Sequence, residues 1–143
     1  MTDQHGEVLA SHSAFYSAFE RAEYDEMGAI WADDDGVVCV HPGAAPIRGR
    51  RAVMRSWLAL MADATYIQFF LTDVEAVVVG DVASVTCTEN VLAAGADTPV
   101  GSFAGGSAAA TNVFRRTPSG WQLWIHHASP VLSRRPIEEG DPP

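Results

Sequence analysis

Apolar residues recur at every third or fourth position in three segments of the chain, and this spacing predicts three helices. We place them at residues 8–22, about 24–32 and 51–62. Three aspartates and a glycine, Asp33 to Gly36, end the second helix and predict a solvated turn. The positions expected to face inward are Leu9, His12, Phe15, Tyr16, Phe19, Met27, Ile30, Trp31, Val53, Met54, Trp57, Leu58 and Met61.

In the second half of the chain the apolar positions alternate with period two, which is typical of strands with one buried face. A shorter β-branched segment precedes Pro42-Gly43 and predicts one more strand. The segment 93–106 contains four glycines and a proline, so we expect a mobile loop there. The predicted strands are residues 37–41, 67–79, 82–92, 107–117 and 121–129.

This order of elements, with helices first and long antiparallel strands last, indicates an α+β fold. We expect a strongly curved, mixed but mostly antiparallel sheet that packs against the three N-terminal helices. Such a sheet forms a cone-shaped barrel that encloses one pocket, and concave apolar sites of this kind usually bind ligands. The length of 143 residues suits one domain, which we place at residues 1–133, with a flexible C-terminal tail at residues 134–143.

The charge of the chain limits its partners. There are 18 acidic and 9 basic residues, which gives a formal net charge of −9. A chain this acidic has no electrostatic basis for binding nucleic acid or an anionic membrane, so neither is expected as a partner. All nine basic residues are arginines, and the absence of lysine excludes a Schiff base, a phosphate-loop lysine and a lysine general base.

The ends and cysteines of the chain suggest a cytoplasmic protein. The N-terminus has neither the basic nor the apolar region of a signal peptide, and the apolar runs are far shorter than the roughly 20 residues that span a bilayer. Cys39 and Cys87 are too few for a disulfide framework, and each lies in an apolar run. We therefore expect two buried thiols.

Strand alternation sends several polar side chains into the predicted cone. His41, Glu89, Asn112 and His127 fall on the faces expected to point inward, and Tyr16 joins them from the first helix. A buried carboxylate beside a histidine perturbs both pKa values, and histidine is the side chain best suited to move a proton near neutral pH. These residues are the candidates for chemistry.

Each candidate also has a structural interpretation. His41 can bond a backbone carbonyl at the strand end, Tyr16 can be a packed ring, and Asn112 can make a local hydrogen bond. Glu89 can pair with an arginine or histidine, for instance from the third helix. The adjacent histidines His126 and His127 point to opposite faces of a strand, so both cannot easily bind one ion. A metal site from His41, Glu89 and His127 is possible in composition, but no recognised spacing supports it, so we expect no metal. We also expect no cofactor.

A family resemblance is carried by helix residues Phe15–Phe19 and Ala22–Asp25, by Trp31–Asp35, by the strand end Val40–Gly43, by Arg48–Arg50 and by Trp121–His127. On these segments the sequence, over about residues 8–130, resembles the nuclear transport factor 2-like superfamily, in particular its SnoaL-like and ketosteroid isomerase-like branches. The resemblance implies the cystatin-like α+β cone. It leaves the reaction open, because this superfamily hosts isomerases, dehydratases, hydrolases, cyclases and proteins without known catalysis.

The ketosteroid isomerase-like branch implies roles for three residues. His41 resembles the position of an aspartate base before a proline, Tyr16 that of an oxyanion-hole tyrosine, and Asn112 that of a protonated aspartic acid. The resemblance thus implies His41 as the base, with Tyr16 and Asn112 as donors to a developing oxyanion. An amide is a weaker donor than an acidic hydroxyl, which argues against steroid isomerisation.

Two functions follow as hypotheses. The first is an isomerase-like or lyase-like enzyme that moves a proton, or adds or eliminates water, on a hydrophobic carbonyl compound. The second is a non-catalytic ligand-binding or accessory domain. We expect a homodimer through the outer sheet face, because Val113 and Trp124 make that face apolar. The positions assigned to substrate contact are Glu89, His127, Trp57, Phe70 and Phe114, with core packing as the alternative for Trp57.

Overall fold

The computed structural model describes residues 3–95 and 104–132. Three helices and six strands are present in this part of the chain. The helices are α1 (Gln4–Glu20), α2 (Tyr24–Ile30) and α3 (Arg50–Asp63). The strands are β1 (Val38–Val40), β2 (Ile47–Arg48), β3 (Ala64–Val79), β4 (Val82–Gly95), β5 (Ala104–Thr117) and β6 (Gly120–Pro130).

The strands form one mixed sheet in the order β2-β1-β6-β5-β4-β3. The β1–β6 pair is parallel and the other neighbours are antiparallel. The helices cover one face, and the largest fully buried side chains between helices and sheet are Trp31, Trp57, Phe15 and Phe114. This confirms the α+β cone, with the difference that the sheet stays open between β2 and β3 in the described residues.

Several element boundaries differ from the sequence prediction. β2, which pairs with β1, lies between the predicted strand at 37–41 and the predicted helix at 51–62, where we predicted no strand. β4 and β5 extend into the predicted loop at 93–106, whose central residues 96–103 lie outside the described chain, as does the predicted tail at 134–143. Leu9 and Leu58 are 36% and 49% exposed rather than inward. No helix in the described residues is long and apolar enough to cross a membrane.

The cysteines and the aspartate run have structural roles. Cys39 and Cys87 are buried free thiols, as predicted. Asp34 accepts a hydrogen bond from the backbone N–H of Gly36 at 2.6 Å and pairs with Arg115 at 3.0 Å. The turn after α2 is therefore tied to β5 through a carboxylate.

A β-bulge in β6 changes which side chains face the core. Val113 pairs with Ile125, but the next residue of β5, Phe114, pairs with Leu123. Trp124 is therefore the extra residue of the bulge, and alternation is interrupted there. The indole N–H of Trp124 donates to the carbonyl of Gly36, outside the core.

The bulge reverses the predicted orientation of the two adjacent histidines. Leu123 is buried before the bulge, whereas His126 and Ala128 are buried after it. His127 is exposed on the outer face. The prediction that His127 points into the cone is wrong, because it assumed that the side chains of β6 alternate without interruption, whereas the strand contains an inserted residue.

Strand β3 lies at one edge of the sheet and is irregular. Its pairing with β4 shifts between Thr72 and Glu75, and Asp73 takes a positive φ of 54°. The backbone N–H of Phe69 donates to the carboxylate of Glu20 at the end of α1, at 2.9 Å. This bond ties the edge strand to the helix that covers the core.

Helix α1 ends in a Schellman motif with an unusual residue. The N–H of Glu23 donates to the carbonyl of Ala18, and that of Ala22 to the carbonyl of Phe19. Ala22 has a φ of 53°, in the left-handed region that favours glycine. A Cβ atom there costs about 1–2 kcal/mol.

We expect Ala22→Gly to raise the free energy of unfolding by about 0.5–1 kcal/mol, because relief of this strain exceeds the extra chain entropy of glycine. Urea denaturation measures the change. Ala59→Gly is the control, since Ala59 is exposed within α3 and its replacement should cost about 1 kcal/mol. A loss of stability in both variants would contradict the prediction.

Candidate functional site

A cavity of about 380 Å³ lies between the concave face of the sheet and helices α1 and α3. Most of its wall is apolar. The polar side chains in the wall are Tyr16, His41, Glu89, Ser107 and His126. The apolar side chains around them are Phe15, Phe19, Pro42, Trp57, Leu60, Ile67, Phe69, Val91, Ala108 and Pro130. A few polar groups in an apolar concave site are what a small-molecule site requires.

Glu89 on β4 is the acidic group of this cavity and is only 4% exposed. Its Oε2 atom accepts a hydrogen bond from the hydroxyl of Tyr16 at 2.6 Å. Burial raises the pKa of Glu89 above its usual 4.5, against the lowering effect of the Tyr16 bond. The partner of Glu89 is thus a hydroxyl group, rather than the arginine or histidine that the sequence suggested.

Asn112 on β5 lies behind the cavity wall and is fully buried. Its amide nitrogen is 3.1 Å from the hydroxyl oxygen of Tyr16 and 3.0 Å from Nε2 of His12. Its amide oxygen is 2.5 Å from Nδ1 of His126. Asn112 points inward as predicted, but its amide is engaged with protein groups and joins α1, β5 and β6.

The two histidines bonded to Asn112 are neutral near pH 7. Burial lowers the pKa of His12 from 6.5 to about 4. Burial, with the neighbouring histidines as a smaller cause, lowers the pKa of His126 from 6.5 to about 3. His126 lines the cavity and His12 does not.

His41 follows directly after β1 and lines the cavity beside Trp57, with 4.8 Å between ring centroids. Its Nε2 atom is 2.9 Å from the hydroxyl of Ser56 on α3. That hydroxyl donates its single hydrogen to the carbonyl of Val53 at 2.7 Å, so His41 donates from Nε2 and keeps its lone pair on Nδ1. Burial lowers the pKa of His41 below 6.5, which favours the neutral base.

The structure brings together some of the predicted substrate-contact residues and separates others. Glu89 and Trp57 line the cavity. Phe70 is 52% exposed and His127 is exposed, so both lie outside the cavity. Phe114 is fully buried in the core and lies beside the ring of His12, 6.2 Å away, rather than in the cavity wall.

Phe69 and His126 are among the cavity residues that the sequence analysis did not assign to the site. For Phe69 a signal was present: Ile67, Phe69 and Leu71 form a more apolar alternating set than the set that contains Phe70. For His126 the signal was the continuous apolar run just before it, which regular alternation does not produce.

A second, wider cavity of about 690 Å³ lies between α2 and α3. Its wall is Tyr24, Asp25, Gly28, Ala29, Asp35, Arg50, Arg51 and Met54. The guanidinium of Arg50 there donates to the carbonyls of Gly28, Trp31 and Ala32 at 2.8–3.1 Å. The Arg50 side chain is thus engaged with backbone carbonyls at the end of α2, and no buried acid or histidine lines this wall. The inner cavity is therefore the better candidate site.

No group of three or more histidine, cysteine, aspartate or glutamate side chains in the described residues could hold a metal ion. The polar groups of the inner cavity are suited instead to acid–base chemistry. Glu89, with a raised pKa, can act as an acid, and His41, with a lowered pKa, can act as a base. Both line the same apolar cavity.

Comparison with known proteins identifies similar chains. A family model described as the SnoaL-like domain matches residues 8–133. A structure from Streptomyces avermitilis, described as a candidate dehydratase of the NTF2-like family, is 48% identical, with a TM-score of 0.82 over 90% of this chain and 96% of that chain. A comparison with curated proteins finds no match.

Two further structures extend the comparison. A candidate association domain of calcium/calmodulin-dependent protein kinase type II from Thiobacillus denitrificans is 36% identical, with a TM-score of 0.74 over 86% of this chain and 94% of that one. A ketosteroid isomerase-like protein from Erwinia carotovora atroseptica is 17% identical, with a TM-score of 0.74 over 93% of this chain and 100% of that one. The latter likeness concerns the fold alone.

Proposed function

This chain belongs to the SnoaL-like family of the nuclear transport factor 2-like superfamily, and from that premise we propose that it binds a hydrophobic carbonyl compound and catalyses the elimination or addition of water. The observation that carries the proposal is the presence of a buried acid, Glu89, and a neutral base, His41, in the wall of one apolar cavity. The Streptomyces avermitilis relative, described as a candidate dehydratase, supports the class of reaction.

Glu89 acts in its protonated form. A chain of donors runs from the amide of Asn112 to the hydroxyl of Tyr16 and on to Oε2 of Glu89. Such a chain polarises each successive bond. The acid proton on Oε1 is then available to the carbonyl oxygen of a ligand and stabilises negative charge that develops on it. Tyr16 and Asn112 position this acid, in place of the direct oxyanion contacts that the family resemblance implies.

His41 takes the proton from the carbon next to the carbonyl, through Nδ1. Glu89 gives its proton to the carbonyl oxygen as the C–H electron pair moves to form an enol. The enol returns that proton to Glu89 as it reforms the carbonyl and expels the β-hydroxyl group, which leaves as water with the proton from the His41 imidazolium. His41 has then released the proton that it took and Glu89 has regained the one that it gave, so the enzyme ends in its starting state.

A direct assay tests this proposal. The water adduct of benzalacetone, a β-hydroxy ketone with a phenyl ring, should be converted to benzalacetone, whose conjugated enone is followed by absorbance. Glu89→Gln should lower kcat by about 10²-fold, because an amide cannot supply the acid proton. The wild type should lose activity as the pH rises through the raised pKa of Glu89, and the variant should lack this loss.

Glu89→Asp is the conservative partner of Glu89→Gln, since it retains the carboxyl group at a shorter reach. It should keep more activity than the amide variant. Equal rates for wild type and Glu89→Gln would rule out Glu89 as the acid. Absence of turnover for this ketone and for related β-hydroxy carbonyl compounds would refute the dehydratase proposal.

A non-catalytic ligand-binding domain is the second candidate function. The observation that favours it is the engagement of both ends of the Asn112 amide with protein groups, which leaves a ligand fewer donors than the family resemblance implies. Binding of the enone without turnover of its water adduct would identify this function.

For the assembly we propose a homodimer through the outer sheet face. Phe70, Val77 and Val79 on β3 are 52%, 51% and 74% exposed. Exposed apolar side chains of this size on one strand are typical of an interface.

A further inference from the structure

The hydrogen bonds around Asn112 fix the direction of its amide. The nitrogen carries two hydrogens and has two neighbours that can accept, Nε2 of His12 and the hydroxyl oxygen of Tyr16. The Tyr16 hydroxyl can accept because its own hydrogen goes to Glu89. The amide oxygen, which only accepts, therefore faces His126.

The direction of this amide decides the tautomer of His126. Nδ1 of His126 lies 2.5 Å from the amide oxygen and must donate to it. A neutral imidazole has one hydrogen, so Nε2 carries a lone pair. His126 lines the cavity, and its Nε2 has no hydrogen bond within the described residues.

We infer that His12 and Asn112 are positioning residues that hold the proton of His126 on Nδ1, and that the cavity recognises a hydroxyl group of its ligand through Nε2 of His126. This inference rests on the proposed function, because it concerns a ligand of the same cavity. His12 contributes to this orientation, since without an acceptor at His12 only the hydroxyl oxygen of Tyr16 holds the amide nitrogen of Asn112.

The position of His126 relative to His41 supports a hydroxyl ligand. Their ring centroids are 6.5 Å apart, so one oxygen atom can lie within hydrogen-bonding distance of both rings. A hydroxyl donates its hydrogen to His126 and accepts from a protonated His41. A ketone or ether oxygen has no hydrogen to donate and leaves Nε2 of His126 unpaired. The β-hydroxyl group of a hydroxy ketone meets both requirements.

Nuclear magnetic resonance tests the tautomer without any ligand. Two-bond correlations between ring hydrogens and ¹⁵N nuclei in the histidine-labelled protein report which nitrogen carries the proton. We expect Nδ1–H for His126 near neutral pH. His12→Gln keeps an acceptor of similar reach and should preserve this tautomer, whereas His12→Leu should reduce its population.

An Nε2–H tautomer of His126 in the wild type would overturn the inference. So would an unchanged tautomer in a folded His12→Leu protein, because His12 would then have no part in the orientation. If the leucine variant does not fold, the wild-type spectrum and the glutamine variant still decide.

Two matched probes test the recognition of a hydroxyl group. β-Naphthol and β-naphthyl methyl ether share one ring system and differ in the hydroxyl hydrogen. The wild type should bind the naphthol about tenfold more tightly, the effect of one hydrogen bond. Titration followed by tryptophan fluorescence measures both affinities. His12→Gln should keep the preference and His12→Leu should reduce it.

Neither naphthalene compound can lose water, so this result is independent of turnover. Equal affinity of the wild type for the two probes would overturn the inference, whatever the enzyme assay gives. A clear preference for the naphthol, with no turnover of any hydroxy ketone, would support the inference and refute the proposed reaction.

Discussion

Replacing His41 by asparagine should lower kcat for the hydroxy ketone by about 10²–10⁴-fold, the usual contribution of a general base. Asparagine can still donate a hydrogen bond to Ser56, so the strand end should keep its shape. The affinity for the product enone should change little, because the imidazole acts on the reacting proton rather than on the ligand body. Steady-state kinetics and a separate binding titration measure the two effects.

His127→Asn is the matched control for this variant. His127 is exposed on the outer face, so the same substitution there should leave kcat unchanged. The wild-type rate should also fall as the pH drops through the lowered pKa of His41, since protonation removes the base. An unaltered kcat in His41→Asn would exclude His41 as the base.

The free energy of unfolding should fall by about 1–3 kcal/mol between about pH 7.5 and pH 5.5. His12 and His126 have pKa values of about 4 and 3 in the folded protein, below the 6.5 of the unfolded chain. Below pH 6.5 the unfolded state therefore binds protons that the folded state does not bind. Their stabilisation is complete above pH 6.5 and is lost as the pH falls towards the folded values.

The effect of Glu89 on the free energy of unfolding has the opposite sign. Its pKa is raised on folding, so below that raised value the folded state binds a proton that the unfolded chain has released, which offsets part of the loss. Urea denaturation at several pH values measures the net slope. In His12→Gln up to one fewer proton is taken up on unfolding, so the slope of stability with pH should fall by up to about 1.4 kcal/mol per pH unit. A stability that is flat over this range would show that the two histidines are not buried and neutral.

The sequence pattern was sufficient for the fold because the periods of the helices and strands are regular over most of their length. It also placed Glu89 and Asn112 inward correctly, since β4 and β5 keep strict alternation in that region. It failed at His127, where one extra residue in β6 exchanged the two faces of the strand. A bulge depends on the pairing of two distant segments, and a local pattern does not contain that information.

The partners of the candidate residues could not be predicted for the same reason. His12 was placed on the inward face of the first helix, yet its bond to Asn112 joins positions 100 residues apart. The contact of Ser56 with His41, which determines the nitrogen that carries the imidazole hydrogen, could not be predicted from the sequence. Residue types indicated acid–base chemistry, while the direction of each proton required the tertiary structure.

The irregular edge strand β3 has a consequence for solubility. Its sixteen residues, rich in valine near the end, would offer a long row of unpaired N–H and C=O groups to another chain if they were straight. The shift between Thr72 and Glu75 interrupts that row, and Glu20 occupies the N–H of Phe69. We therefore expect the irregular, charged section around Asp73 to disfavour amyloid-like stacking of the protein, whatever the cavity binds.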